Sequence, residues 1–165
     1  MPPRIIREQR VVEDHWLHLA DDAPLSAEGD VTVSLGRWQN EAESLRAHTG
    51  KVGVRVPNTL DIEEITLSIT DRPLICLEFP AFGDGRAFTQ ARLLRERLGY
   101  RGELRAVGDV ARDQLFYMQR CGFDSYEPRA DKDIGEALKA FTEITLTYQG
   151  AADTQQTVFA RRATR

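Results

Sequence analysis

The stretch LICLEFPAFGDGRAFTQARLLRERLGYRGELRAVGD, residues 74–109, decides the fold. Leu74–Phe79 is a nearly unbroken apolar run of strand length. Phe88, Ala91, Leu94 and Leu98 then fall on one face at helical spacing, and Leu104–Val107 is a second apolar run. Strand, helix and strand in that order, with both strands apolar on both faces, read as a parallel pair joined by a covering helix.

The same rhythm extends to either side. Apolar runs at Val31–Leu35, Val52–Val56 and Phe123–Tyr126 alternate with helix-patterned segments at Arg37–His48, Asp61–Asp71 and Asp109–Arg120. A last helix is expected from about Asp133 to Thr145. About five consecutive βα units imply an α/β domain with a parallel sheet, either open or curled into a half-barrel. The first 20 residues read as an N-terminal β-hairpin, and a loop rich in Asp, Ala and Pro (Asp21–Asp30) separates them from the repeat. Residues 1–148 are expected to form one domain, with 149–165 as a loosely ordered tail.

The chain has 165 residues, enough to bury a core without staples. Its 22 basic and 26 acidic residues argue against a general nucleic-acid binder. Nineteen of the basic residues are arginine, a side chain suited to bidentate contact with carboxylate, sulfate or phosphate. Eight of them (Arg86, Arg92, Arg95, Arg97, Arg101, Arg105, Arg112 and Arg120) lie between Pro80 and Asp124, giving a locally positive stretch in a chain of net charge −4. Such a reversal beside strand ends points to an anionic ligand or an acidic partner surface.

Cys76 and Cys121 are the two cysteines, and no CxxC exists, so this chain alone holds neither a redox dithiol motif nor an iron–sulfur ligand set. Cys76, mid-strand, and Cys121, on the apolar face of a helix end, read as structural. His15, His18 and His48 show no metal-ligand spacing, so no metal site is expected. The first residues lack a signal-peptide pattern, and the apolar runs fall far short of the roughly 20 residues of a membrane helix. A cytoplasmic location without membrane contact is the expectation.

In parallel α/β sheets, ligands gather at the carboxyl ends of the strands. The longest of the strand-end loops carries Asp84, Gly85 and Arg86. Arg86 beside a helix start would bind an oxyanion, or it would pair with Asp84. Asp109 is placed to cap the following helix. Gln114 lies near the middle of an apolar stripe formed by Val110, Tyr117, Met118 and Cys121, where it would either tie down a loop backbone or reach the Asp84 pocket. Glu78, near the end of its strand, is a candidate proton carrier with Asp84, or a partner for Arg105. No P-loop or dinucleotide fingerprint is present, and the cofactor stays unassigned.

The ordered string from Phe82 to Glu127, with Phe82, Asp84, Gly85, Arg86, Gln90, Arg92, Arg105, Gly108, Asp109, Asp113, Gln114 and Cys121 in its signature, resembles a family of small bacterial proteins known as probable oxidoreductases involved in sulfite reduction. Genes of that family commonly lie beside those of the sulfite reductase hemoprotein. The resemblance implies an accessory role in assimilatory sulfate and sulfite reduction, acting with the hemoprotein or a ferredoxin-like donor through the Arg-rich strand-end site. It transfers no catalytic residue. The alternative is a stand-alone enzyme binding a small oxyanion or phosphorylated ligand at Asp84 and Arg86.

Overall fold

The computed structural model describes residues 2–25, 28–153 and 161–162. Its eight strands form one sheet in the order β2-β1-β8-β7-β6-β5-β4-β3. β4 (Val31–Ser34), β5 (Val52–Val56), β6 (Leu74–Phe79), β7 (Glu103–Gly108) and β8 (Ser125–Tyr126) run parallel, as the five apolar runs predict. The last run is shorter than expected, because Phe123 turns into the core before pairing begins.

The N-terminal hairpin spans only β1 (Arg4–Arg7) and β2 (Arg10–Glu13), turning through Glu8 and Gln9, both at positive φ. β1 adds antiparallel to β8. β3 (Leu17–His18), expected within the hairpin, leaves it and pairs parallel to β4 at the opposite edge. This placement dictates the shape of the sheet. Eight strands about 4.8 Å apart would separate the two edges by about 34 Å if flat. Glu13 and Leu17 end and begin those edges, and the four steps between them reach at most about 14 Å. The sheet must curl, and it forms an open, strongly curled half-barrel.

Curling gives the two faces different contents. Residues paired across the ladder share a face, so Val33, Val54, Ile75 and Leu104 lie on one side with Val56, Leu77 and Ala106. This side carries the main core, against the helices α1 (Leu35–Asn40), α3 (Ile62–Ile69), α4 (Arg86–Arg92) and α5 (Leu115–Cys121). The inner side holds a small cluster of Leu74, Cys76 and Val107 under Trp16. Beside it Arg105, 1% exposed, donates to Asp14 at 2.9 Å, to Glu103 at 2.8 Å and to Ser125 at 3.2 Å. Asp14 and Trp16 belong to the short edge-to-edge linker, so the inner core pins the segment that enforces the curl.

The helices are shorter than their sequence patterns. Arg37–His48 breaks into α1 and α2 (Ala42–Arg46). α4 runs on into a π turn at Leu93–Arg97, and α6 (Ile134–Leu138) ends in a 3-10 turn at Phe141 rather than near Thr145. The first residues of the tail are fastened to α5: Arg120 donates to the Gln149 carbonyl and pairs with Asp153 at 3.3 Å, and Ala152 N donates back to Arg120 O at 3.0 Å. Residues 154–160 and 163–165 of that tail lie outside the described residues. No described helix is long and apolar enough to cross a membrane.

Gly108 closes β7 at φ +94°, and a Cβ there would stand 2.4 Å from the Phe79 carbonyl oxygen. That oxygen accepts from Asp109 N at 2.7 Å, a bond joining the ends of β6 and β7. Gly108→Ala must strain the backbone and break this bond. A loss of at least about 1–2 kcal/mol is expected in urea unfolding, whereas an unchanged midpoint would contradict this role.

Candidate functional site

The loop after β6 is built around one ion pair. Arg86 donates to both carboxylate oxygens of Asp84, Nε at 2.9 Å and Nη2 at 2.6 Å, and its backbone N approaches Asp84 Oδ1 at 3.3 Å. The Arg86 guanidinium, with a smaller contribution from the Asn58 side chain, holds the Asp84 carboxyl well below the usual carboxylate range. Gly83 meets nothing within 4 Å, and the Gly85 φ of −90° is open to any residue, so these glycines leave space rather than relieve strain. Arg86 Nη1 donates to no described residue.

The other residues singled out in the sequence divide between this loop and elsewhere. Gln114 ties the loop down, its Nε2 donating to the Phe82 carbonyl at 3.3 Å. Asp109 does not cap a helix. The chain turns through Val110 and Ala111 before a 3-10 turn opens at Arg112, and the Asp109 carboxylate pairs with Arg129 at 3.2 Å. Arg105 is withdrawn into the half-barrel and bound to Asp14 and Glu103, apart from Glu78 and from the loop. Tyr117, expected on the buried stripe, is 55% exposed, while Val110, Met118 and Cys121 are buried.

The arginine-rich stretch proves to be a set of fastenings. Arg97 pairs with Glu63, Arg112 with Glu143 and Arg120 with Asp153, acids that lie outside the stretch. Arg92 pairs with Glu96 one turn along. Arg95 donates to the carbonyls of Tyr100, Gly102 and Gly122 and to Asp124 at 3.0 Å, locking three chain turns together. Arginine suits this work because one planar fork presents five donors. The charge reversal in the sequence therefore disappears once distant partners are counted, and Arg86 is the arginine left at the strand-end loop.

Two features escaped the sequence. Inside the curl, at the carboxyl ends of the strands, the inner face is polar: Arg55 donates to Thr32 Oγ1 at 3.4 Å and lies 3.6 Å from Glu127 across the half-barrel. His18 Nδ1 is 3.2 Å from the same Thr32 hydroxyl. Partial burial, and then the Arg55 cation, lower the His18 pKa. Glu78 belongs to this face, half-buried and without an ion pair among the described residues. The signal was the polar residues interrupting the apolar runs, among them Thr32, Arg55 and Glu78, but only the strand register shows that these three share a face.

The second is a cleft of about 370 Å³ on the helical side, between the loop after β5 and α4, lined by Asn58, Leu60, Ile62, Arg86, Gln90 and Leu93. Gln90 is 4% exposed and Asn58 5%. Gln90 Nε2 donates to the carbonyls of Pro57 at 3.1 Å and Leu60 at 2.9 Å, which fixes the amide's orientation and leaves Oε1 buried without a partner among the described residues. Asn58 Nδ2 is likewise buried, and it faces the Asp84 carboxylate that it helps keep ionised.

Neither thiol suits redox work in this setting: burial pushes Cys76 up to about 12 and raises Cys121 as well. Among the described residues no group of three or more His, Cys, Asp or Glu is placed to hold a metal ion.

The Asp84–Arg86 pair has a pH signature. With its pKa lowered, the Asp84 carboxylate stays ionised from neutrality down past its ordinary value near 3.9, and the pair releases only as pH falls through the lowered pKa. A carbon-13 NMR titration should place the Asp84 midpoint below ~3.9, and Arg86→Ala should return it towards that value. An ordinary midpoint in the unsubstituted chain would remove the pair from the account.

No curated protein and no solved structure matches the chain. Residues 53–159 match a family model described as bacterial protein of unknown function (DUF934), a span running from β5 through the Asp84–Arg86 loop and past the last helix. The match covers well over half of the 165 residues, and the chain belongs to the DUF934 family.

Proposed function

We propose that the chain is an accessory protein of assimilatory sulfate and sulfite reduction, docking on the sulfite reductase hemoprotein or on its ferredoxin-like electron donor. The metabolic step rests on the resemblance carried by residues 82–127. The docking face rests on one structural observation: Phe82 and Tyr117, 54% and 55% exposed, are aromatic side chains left open to solvent around the loop that carries Arg86. They are joined through Gln114, which holds the Phe82 carbonyl, and through Phe88, whose ring lies 4.8 Å from that of Tyr117. Interface hot spots are enriched in Tyr, Trp and Arg.

Because the arginines of this face already hold carboxylates, the aromatic side chains rather than net charge carry the affinity. Arg86 exchanges one oxygen of Asp84 for an acidic group of the partner. A shallow salt dependence follows, since exposed ion pairs contribute at most about 1 kcal/mol.

A second reading is a stand-alone enzyme that binds a small oxyanion or phosphorylated ligand at Asp84 and Arg86. The observation favouring it is that Arg86, whose Nη1 donates to no described residue, borders the cleft beside Asn58 and Gln90.

A deletion strain tests the pathway and purified proteins test the face. The strain should fail on sulfate and on sulfite yet grow on sulfide or cysteine; growth on all four sources would overturn the sulfite reading. Phe82→Ala and Tyr117→Ala should each weaken binding to purified hemoprotein or donor at least tenfold. Unchanged binding would move the interface elsewhere.

A further inference from the structure

We propose that the mouth of the half-barrel, inside the curl at the carboxyl ends of the strands, binds a free α-amino acid through its carboxylate and ammonium groups. The site lies on the concave side of the sheet, distinct from the docking face and from the Asp84–Arg86 cleft.

Arg105 and Arg55 both stand on the concave face, but they are held very differently. Arg105, in the floor, makes hydrogen bonds at 2.9, 2.8 and 3.2 Å with Asp14, Glu103 and Ser125. Arg55, its side chain 18% exposed, forms no hydrogen bond or ion pair shorter than 3.4 Å among the described residues. Its Nε reaches Thr32 Oγ1 at that distance, and its Nη2 lies 3.6 Å from Glu127. Nη1 donates to no described residue. A guanidinium drawn this far out of water fills its fork best with a planar anionic group at about 2.7–2.9 Å, and a carboxylate is such a group.

The acidic residues around Arg55 define what else the ligand carries. Arg55 faces Cys76 in the ladder, and Glu78 follows two residues on in β6, on the same face. Their Cα atoms are then about 8 Å apart, yet Glu78 forms no ion pair with Arg55 or with any other described residue. Arg55 reaches instead over β6 and β7 to Glu127, just past the end of β8. A half-buried carboxylate without a partner and a second one loosely held leave a need for cationic donors beside the guanidinium. A bare oxyanion would set a third negative charge against Glu78 and Glu127. A bare amine would leave the Arg55 fork unfilled. An α-amino acid meets both needs, because one carbon joins its ammonium to its carboxylate.

His18 and Thr32 complete the wall. Thr32, 1% exposed, accepts from Arg55 Nε, and His18 Nδ1 lies 3.2 Å from the same hydroxyl. The imidazole is thereby held at the rim with Nε2 bound to no described residue. Burial and then Arg55 lower its pKa, so the ring is largely neutral at pH 7 and adds a hydrogen-bonding group rather than a second cation. Beneath these side chains Cys76, Val107 and Arg105 fill the floor, which confines a ligand to the mouth.

Isothermal titration of the purified full chain with the common L-amino acids, their N-acetyl derivatives and their α-amides tests this. At least one amino acid should bind saturably, and blocking either its ammonium or its carboxylate should weaken binding at least tenfold. Glu78→Gln, which keeps the side-chain volume, should cost a similar factor, as should Arg55→Met. In proton–carbon NMR spectra, saturation should move the ring signals of His18. Those of His48, which meets the Gly29 carbonyl before the first residues of β4, should stay in place. The proposal is overturned if no amino acid binds saturably, if either blocked derivative binds as tightly as its parent, or if binding is indifferent to Glu78→Gln. Movement of His48 without His18 would overturn it as well. None of these readouts involves the hemoprotein, the electron donor or the growth phenotype, so the docking reading is tested separately.

Discussion

The buried contact between Arg105 and Asp14 organises the molecule. Asp14 sits in the linker that carries the chain from one edge of the sheet to the other, and Arg105 sits in the middle of β7. Side-chain exposures of 1% and 9% remove both charges from water. Such a pair offers little net stability against an apolar replacement, but breaking it by removing one partner leaves a buried charge uncompensated. Its contribution is therefore registry: it sets where the linker crosses the inner face, and with it how tightly eight strands curl.

From that curl the two faces acquire different roles. The convex side is a conventional α/β core of Val, Ile, Leu and Ala under short helices. The concave side is narrow, filled at its floor by Trp16, Cys76 and Arg105 and polar at its mouth, where Arg55, Thr32, His18 and Glu78 gather. The helical cleft and the Asp84–Arg86 loop lie at the same carboxyl ends of the strands, outside the curl. A rigid floor beneath strand-end loops that are themselves fastened lets a ligand or partner meet groups already oriented.

The repeating strands were legible because parallel strands buried on both faces write continuous apolar runs, and Leu74–Phe79 is the clearest of them. β3 was not legible: two residues, Leu17 and His18, become a strand only because β4 lies beside them. The arginines misled in an instructive way. Residue type and local density suggested a charged surface, but Glu63, Glu143, Asp153 and Asp14 reach them from distant parts of the chain. Asp84 and Arg86 were found correctly as neighbours, since their pairing is local. Gln90 entered only through the signature, because its significance depends on carbonyls about 30 residues away.

A double-mutant cycle on Arg105 and Asp14, using Arg105→Met, Asp14→Leu and the pair together in equilibrium urea unfolding, tests this account most directly. If the buried pair pins the curl, each single substitution costs about 3–5 kcal/mol while the double recovers most of the loss, giving a coupling of at least about 2 kcal/mol. Additivity within about 0.5 kcal/mol would show that the two side chains act independently, and the curl would then need another cause.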